Sequence, residues 1–251
     1  MISENSSNST RDLPAHLKVP WKIWDAVVVY IVPWIILPLI VYVGLFLVSP
    51  YVPVLHSFYE SLRSNSAQAN FILVLINGAF ELGIVAYYVR KYNLGWKNVG
   101  WRKFNFLQAL GLLLLMLIIF SIGVGLLTAI VSYLLPAFNA DQAQTNEFTT
   151  QTLTHPSISL LALVIIPPII EETIFRGFIF PAFSQKFGLV FGAIVTSVLF
   201  GFAHLQANVS VYTFALGLVL CFMYVRLKSI FPGMALHMLN NYLAFIAIGS
   251  K

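Results

Sequence analysis

The chain has 251 residues, 59% of them hydrophobic and 9% charged, with a mean hydropathy of +0.86. A soluble domain carries about 25% charged residues, so this composition excludes one and points to an integral membrane protein. The net charge of +5 does not indicate nucleic acid, because the cations sit in short loops between apolar runs, and the single cysteine, Cys221, excludes an internal disulfide or a cysteine-based metal site.

Residues 1–22 are expected to form a disordered cytoplasmic tail with no signal-peptide pattern, and residues 23–251 a single transmembrane domain. The first span is Trp24–Val48, interrupted by Pro33 and Pro38. Ser49–Gln68 reads as a polar connection. Ala69–Val89 is the second span and carries Asn77 and Glu81 on one face. Arg90–Asn105 is a basic loop with interfacial Trp96 and Trp101, and Phe106–Leu135 is the third span. A polar loop, Pro136–Pro156, holds Asp141 and Glu147. The fourth span starts near Ser157 and runs towards Phe183. Gly188–Leu205, Val209–Val225 and Phe231–Ile248 complete the set. The expected fold is all-α, a polytopic bundle of seven or eight helices around a buried polar site.

Lysine and arginine counts orient the bundle. Arg11, Lys18 and Lys22, then Arg90, Lys91, Lys97, Arg102 and Lys103, then Lys186, Arg226 and Lys228 fall on one side. Only Arg63 and Lys251 fall on the other, so the N-terminus is expected in the cytoplasm.

Three polar clusters interrupt the C-terminal spans. In EETIFR, Glu172 and Arg176 are four residues apart and can pair, while Glu171 has no cation three or four residues away. Glu171 is therefore the candidate base, and Glu172 the held partner of Arg176. In FGFAH, Phe200 lies one turn before His204. In HMLNN, His237 and Asn241 share a face and could donate to a developing oxyanion. Each cluster also has a structural reading: an interfacial ion pair, a packed histidine, an interhelical hydrogen bond. Glu81 with Asn77 is read as structural. His16, His56 and His155 are read as solvated, and Cys221 as a packing residue.

In this order and on apolar helices, the three motifs resemble those of the CAAX protease and bacteriocin-processing family, also called the Abi family, over residues 155–248. The resemblance implies an intramembrane endopeptidase. Glu171 would be its general base, His204 would help to bind water, and His237 with Asn241 would form the oxyanion hole. Glu172, Arg176 and Phe200 would support the site. It implies a lipidated protein or bacteriocin-like peptide as substrate, reached among membrane lipids in a bacterial plasma membrane. A non-enzymatic immunity protein that binds a bacteriocin is the alternative. Zinc remains an open alternative because one Glu and two His could ligate it, but metal-free catalysis is expected and no cofactor is assigned. The depths conflict: at about 1.5 Å per residue, His204 lies about 24 Å from the cytoplasmic end of its span, too far out for Glu171.

Overall fold

The computed structural model describes residues 13–64, 66–135, 155–204 and 206–249. Eight helices organise them: α1 (Ile23–Tyr51), α2 (Pro53–Arg63), α3 (Ala67–Lys91), α4 (Phe106–Leu134), α5 (Pro156–Phe187), α6 (Leu189–Phe202), α7 (Ala207–Leu227) and α8 (Phe231–Gly249). Five of these, α1, α3, α4, α5 and α7, are long and apolar enough to cross a membrane. The expected all-α bundle is what forms. The seven apolar runs become helices, but α6 has only 14 residues, about 21 Å against a hydrocarbon core of about 30 Å.

The eighth helix corrects the reading of Ser49–Gln68 as a polar connection. Leu55, Phe58, Tyr59 and Leu62 recur at helical spacing and are half-buried, while His56 and Glu60 are exposed. The loop 136–154 lies outside the described residues.

Helix α5 is the centre of the bundle. Every position from Glu171 to Ser184 is buried, so this stretch is enclosed all round. Phe178 stacks on Trp21 at 4.5 Å, and Trp21 Nε1 donates to the Phe178 carbonyl. Phe175 meets Tyr30, Trp34 and Phe200. Two prolines, Pro167 and Pro168, remove helical donors from α5, and Pro33 and Pro38 do so in α1. The backbone adjusts by widening. The N–H of Leu37 bonds to the carbonyl of Val32, and that of Ile166 to Leu161, each five residues back.

Gly188, at φ +84°, turns the chain from α5 into α6 with a backbone that favours glycine. The hairpin resolves the conflict of depths. Glu171 lies 17 residues before Gly188 and His204 lies 16 after it, so the two are level. Phe175 and Phe200, ring centroids 5.0 Å apart, mark the same level. The start of α8 is also drawn inward. Its preceding residue Ile230 donates to the Gly100 carbonyl, and a Cβ on Gly177 would meet the Val99 carbonyl at 2.3 Å. The loop after α3 therefore folds under the bundle, with Val99 fully buried and Trp101 Nε1 donating to Thr173.

Residues 13–22 correct the expected disordered tail, of which 1–12 fall outside the described residues. Leu13, His16, Leu17 and Trp21 are buried, with Leu17 and Trp21 packed among residues of α5 and α7. His16 is not solvated: its ring meets Tyr224 edge-on at 5.2 Å. His155 is exposed and pairs with Gln68, His56 is exposed, and Cys221 is buried as a packing residue.

Burial, then the charge of Arg102 and, less, of Lys228, push His16 from its ordinary 6.5 down to about 4. The docked segment thus binds fewer protons than the free one between those values. Docking is full above about pH 6.5 and weakens as pH falls towards 4. Protection factors of the Leu17 and Lys18 amides, with the intrinsic pH dependence of exchange divided out, should fall as pH is lowered across that window, and His16→Phe should abolish that fall. An unaltered pH profile in the variant would assign the titration elsewhere.

Candidate active site

The site is built outward from one buried ion pair. Arg176 Nη1 donates to Glu172 Oε1 at 2.8 Å, with the side chains 0% and 1% exposed. The guanidinium also faces the Gly217 carbonyl at 3.4 Å and lies 4.3 Å from the Phe200 ring centroid. Both residues lie in a second widened stretch of α5, Glu172–Ile179, where the Phe180 N–H bonds to Phe175 five residues back. Such turns recur at functional sites because they re-aim side chains. Desolvation of a buried pair offsets most of its Coulomb gain, so its value is in fixing Glu172 rather than in net stability.

Glu172 passes that order to α8. Its Oε1 is 3.2 Å from His237 Nδ1. A carboxylate already held by arginine accepts, so Nδ1 carries the proton. His237 Nε2 then stands 3.7 Å from Glu171 Oε2. His237 is 2% exposed, and its ring meets Phe200 edge-on at 5.6 Å. Phe200 also meets His204 edge-on at 5.1 Å, and its carbonyl accepts from His204 Nδ1 at 2.9 Å. A carbonyl has no proton to give, so His204 Nε2 is the free, lone-pair nitrogen. Phe200 thus links the arginine and both histidines while being fully buried.

The two adjacent glutamates diverge as their spacing suggests. Glu172 is sealed behind the site. Glu171 lines a cavity of about 190 Å³ together with His204, His237, Tyr212, Asn240 and Asn241. Glu171 Oε2 has no hydrogen-bond partner among the described residues.

Asn241 reaches the cavity wall, but its Nδ2 donates to the Leu163 carbonyl at 2.9 Å. The cause lies in α5. Leu163 would find a helical donor at position 167, or at 168 in a widened turn, and both are proline. Asn241 supplies the missing N–H from another helix. Its Oδ1 accepts from Asn240, whose own Oδ1 accepts from the Tyr212 hydroxyl.

Sequence reasoning missed Tyr212 and Asn240. Asn240 stands beside Asn241 in HMLNN and only its side-chain direction brings it in. Tyr212 has no motif, and no signal in the sequence marks it. Glu81 is buried on α3 within electrostatic reach of Glu171, and Gly78 packs against Ile170, yet neither lines the cavity.

Asn241→Leu removes the side-chain donor to a proline-orphaned carbonyl and should cost about 1–3 kcal/mol in detergent unfolding. In a Pro167→Ala background, which restores a helical N–H at 167, the same substitution should cost less. Equal losses in the two backgrounds would show that the carbonyl does not need Asn241.

Comparison with known proteins bears on the same region. Residues 153–243 match the family described as type II CAAX prenyl endopeptidase Rce1-like. A Bacillus subtilis (strain 168) protein named "Putative membrane peptidase YdiL" is 30% identical over 135 residues, which cover 48% of this chain and 55% of that relative. The chain thus spans about half the length of the curated relative it matches. No solved structure matches the chain. Through its C-terminal region, where α5, α6 and α8 carry the three motifs, the chain is similar to the type II CAAX prenyl endopeptidase Rce1-like family and to a protein named as a membrane peptidase.

Proposed function

We propose that the protein is an intramembrane endopeptidase that hydrolyses a peptide bond of a membrane-associated substrate, using water activated by Glu171. The observation that carries this reading is Glu171 Oε2. This buried carboxylate oxygen has no hydrogen-bond partner among the described residues, and its residue lines a cavity shared with two histidines. Glu172 Oε2 is likewise without a hydrogen-bond partner among the described residues, but Glu172 is fully buried, is held through Oε1 by Arg176 and His237, and does not line the cavity, so Glu171 is the carboxylate that can meet a substrate.

In this mechanism a water between Glu171 and His204 gives its proton to Glu171, with His204 Nε2 accepting from the water and fixing its orientation. The oxygen adds to the scissile carbonyl. The C–N bond then breaks as Glu171 returns the proton to the leaving amine, which yields a carboxylic acid and an amine and restores the Glu171 carboxylate. His237 and Asn241 are the proposed donors to the oxyanion. His237 can donate through Nε2 when it carries both ring protons. Asn241 keeps one Nδ2 proton beyond the one given to Leu163.

We favour a route without zinc. Among the described residues no three His, Cys, Asp or Glu side chains are grouped as metal ligands. The proposed substrate class is a lipidated protein or a bacteriocin-like peptide, as the resemblance to the CAAX protease and bacteriocin-processing family suggests, and the Bacillus subtilis relative supports a bacterial membrane.

Purified protein in detergent should cleave a member of a panel of prenylated and leader peptides. Glu171→Gln should lower the rate by about 10²–10⁴ while leaving the unfolding temperature near that of the parent. Cleavage that survives Glu171→Gln would transfer the role of base elsewhere. Loss of activity with chelator, restored by zinc and not by calcium, would replace the metal-free route.

A further inference from the structure

The cavity has a side. At the level of Glu171 and His237 the bundle changes character. On α5 the cavity is lined by Ala162, Leu163 and Pro167, all earlier in the helix than Glu171. On α7 it is lined by Val209, Tyr212 and Thr213, within the first two turns. On α8 it is lined by Ala244 and Phe245, beyond His237. His204 follows the last residue of α6, Phe202. These four positions mark the same end of an antiparallel set of helices.

The other end is closed. Every position of α5 from Glu171 to Ser184 is buried. Beneath it pack Trp21, stacked on Phe178, and Trp101, bonded to Thr173. A peptide arriving from that end would have to displace residues 13–22 and the loop holding Val99 and Gly100 from their backbone contacts.

The charges separate along the same axis. Of the 14 lysines and arginines, ten lie at the closed end, from Lys18 to Lys228. Arg63 lies at the open end, Arg176 lies in the site, and Arg11 and Lys251 fall outside the described residues. Ten against one is a strong asymmetry of the kind that holds a membrane protein with its basic end in the cytoplasm.

From these two observations together we infer that the cavity opens to the non-cytoplasmic face of the membrane. The substrate, on the endopeptidase reading given above, is a peptide presented at the outer leaflet. It is an exported membrane-associated peptide or the outer juxtamembrane stretch of an anchored protein, and not the tail of a cytoplasmic lipidated protein. Among the described residues no lysine or arginine lines the cavity, so no fixed cation there selects an acidic peptide or a free C-terminal carboxylate. Internal bonds of a neutral or apolar segment suit it better.

Two measurements test the side and the chemistry separately. Ala244→Cys and Phe245→Cys place a thiol on the cavity wall, and Lys97→Cys places one in the basic loop, while the buried Cys221 is inert background. A charged, membrane-impermeant maleimide applied to intact cells should label the first two and spare the third. Inside-out vesicles should reverse the pattern. Labelling of Lys97→Cys from outside, or of neither cavity position from outside, overturns the proposal without touching the catalytic reading. The second measurement uses single-span reporters with the same cleavable stretch on either the outer or the inner flank. Glu171-dependent cleavage of the outer reporter supports the inference, and cleavage of the inner one alone overturns it. Cleavage of neither, with labelling as expected, leaves the cavity's side established and removes the endopeptidase reading, and with it the assignment of a substrate.

Discussion

A carboxylate and a guanidinium, both fully buried at the centre of a membrane helix bundle, set the terms for everything around them. Neither Glu172 nor Arg176 can be left alone there, because an uncompensated charge in that setting costs several kcal/mol. Their pairing at 2.8 Å is only the start. The guanidinium needs more than one acceptor and takes the Gly217 carbonyl and the Phe200 ring. The carboxylate takes His237. Each demand pulls in another helix, so α6, α7 and α8 are located by the same two charges. Glu171, next in the chain but one helical step round, is left facing the cavity with an oxygen unengaged.

Backbone irregularity serves the same end. Proline pairs and widened turns break the regular hydrogen bonding of α5 on both sides of Glu171. In lipid a freed carbonyl must be satisfied by protein, since no bulk water reaches it. Asn241 does this for Leu163 while it borders the cavity. One residue is therefore both a structural tie and a wall of the site. The structural and chemical readings of HMLNN, alternatives at the level of sequence, are not exclusive. Removing Asn241 would disturb α5 and the site together.

The motifs themselves were legible because they break a strong background. A glutamate pair, an arginine and two histidines stand out in apolar runs that would otherwise contain none, and their spacing of four residues survives into the folded helices as real contacts. The ion pair and the contact of Phe200 with His204 follow from local geometry alone. Helix α2 was legible in principle, since Leu55, Phe58, Tyr59 and Leu62 follow the helical period, but its polar residues disguised it as a connection. The buried N-terminal segment was not legible. Nothing in the few apolar residues among Leu13–Trp21 tells that a groove between the ends of α5 and α7 awaits them.

By itself, then, the sequence determined the class of the protein, the placing of its apolar helices, and which polar residue types gather at the candidate site. These depend on composition and on spacings of three or four residues, which a helix preserves. Tertiary structure alone decided depth and direction. Levelling Glu171 with His204 required the hairpin at Gly188 and a short α6. Levelling both with His237 required the loop at Val99 and Gly100 to fold beneath the bundle. Recruiting Tyr212 and Asn240 required α7 to turn a face towards α8. These are relations between residues far apart in the chain, and no local period encodes them.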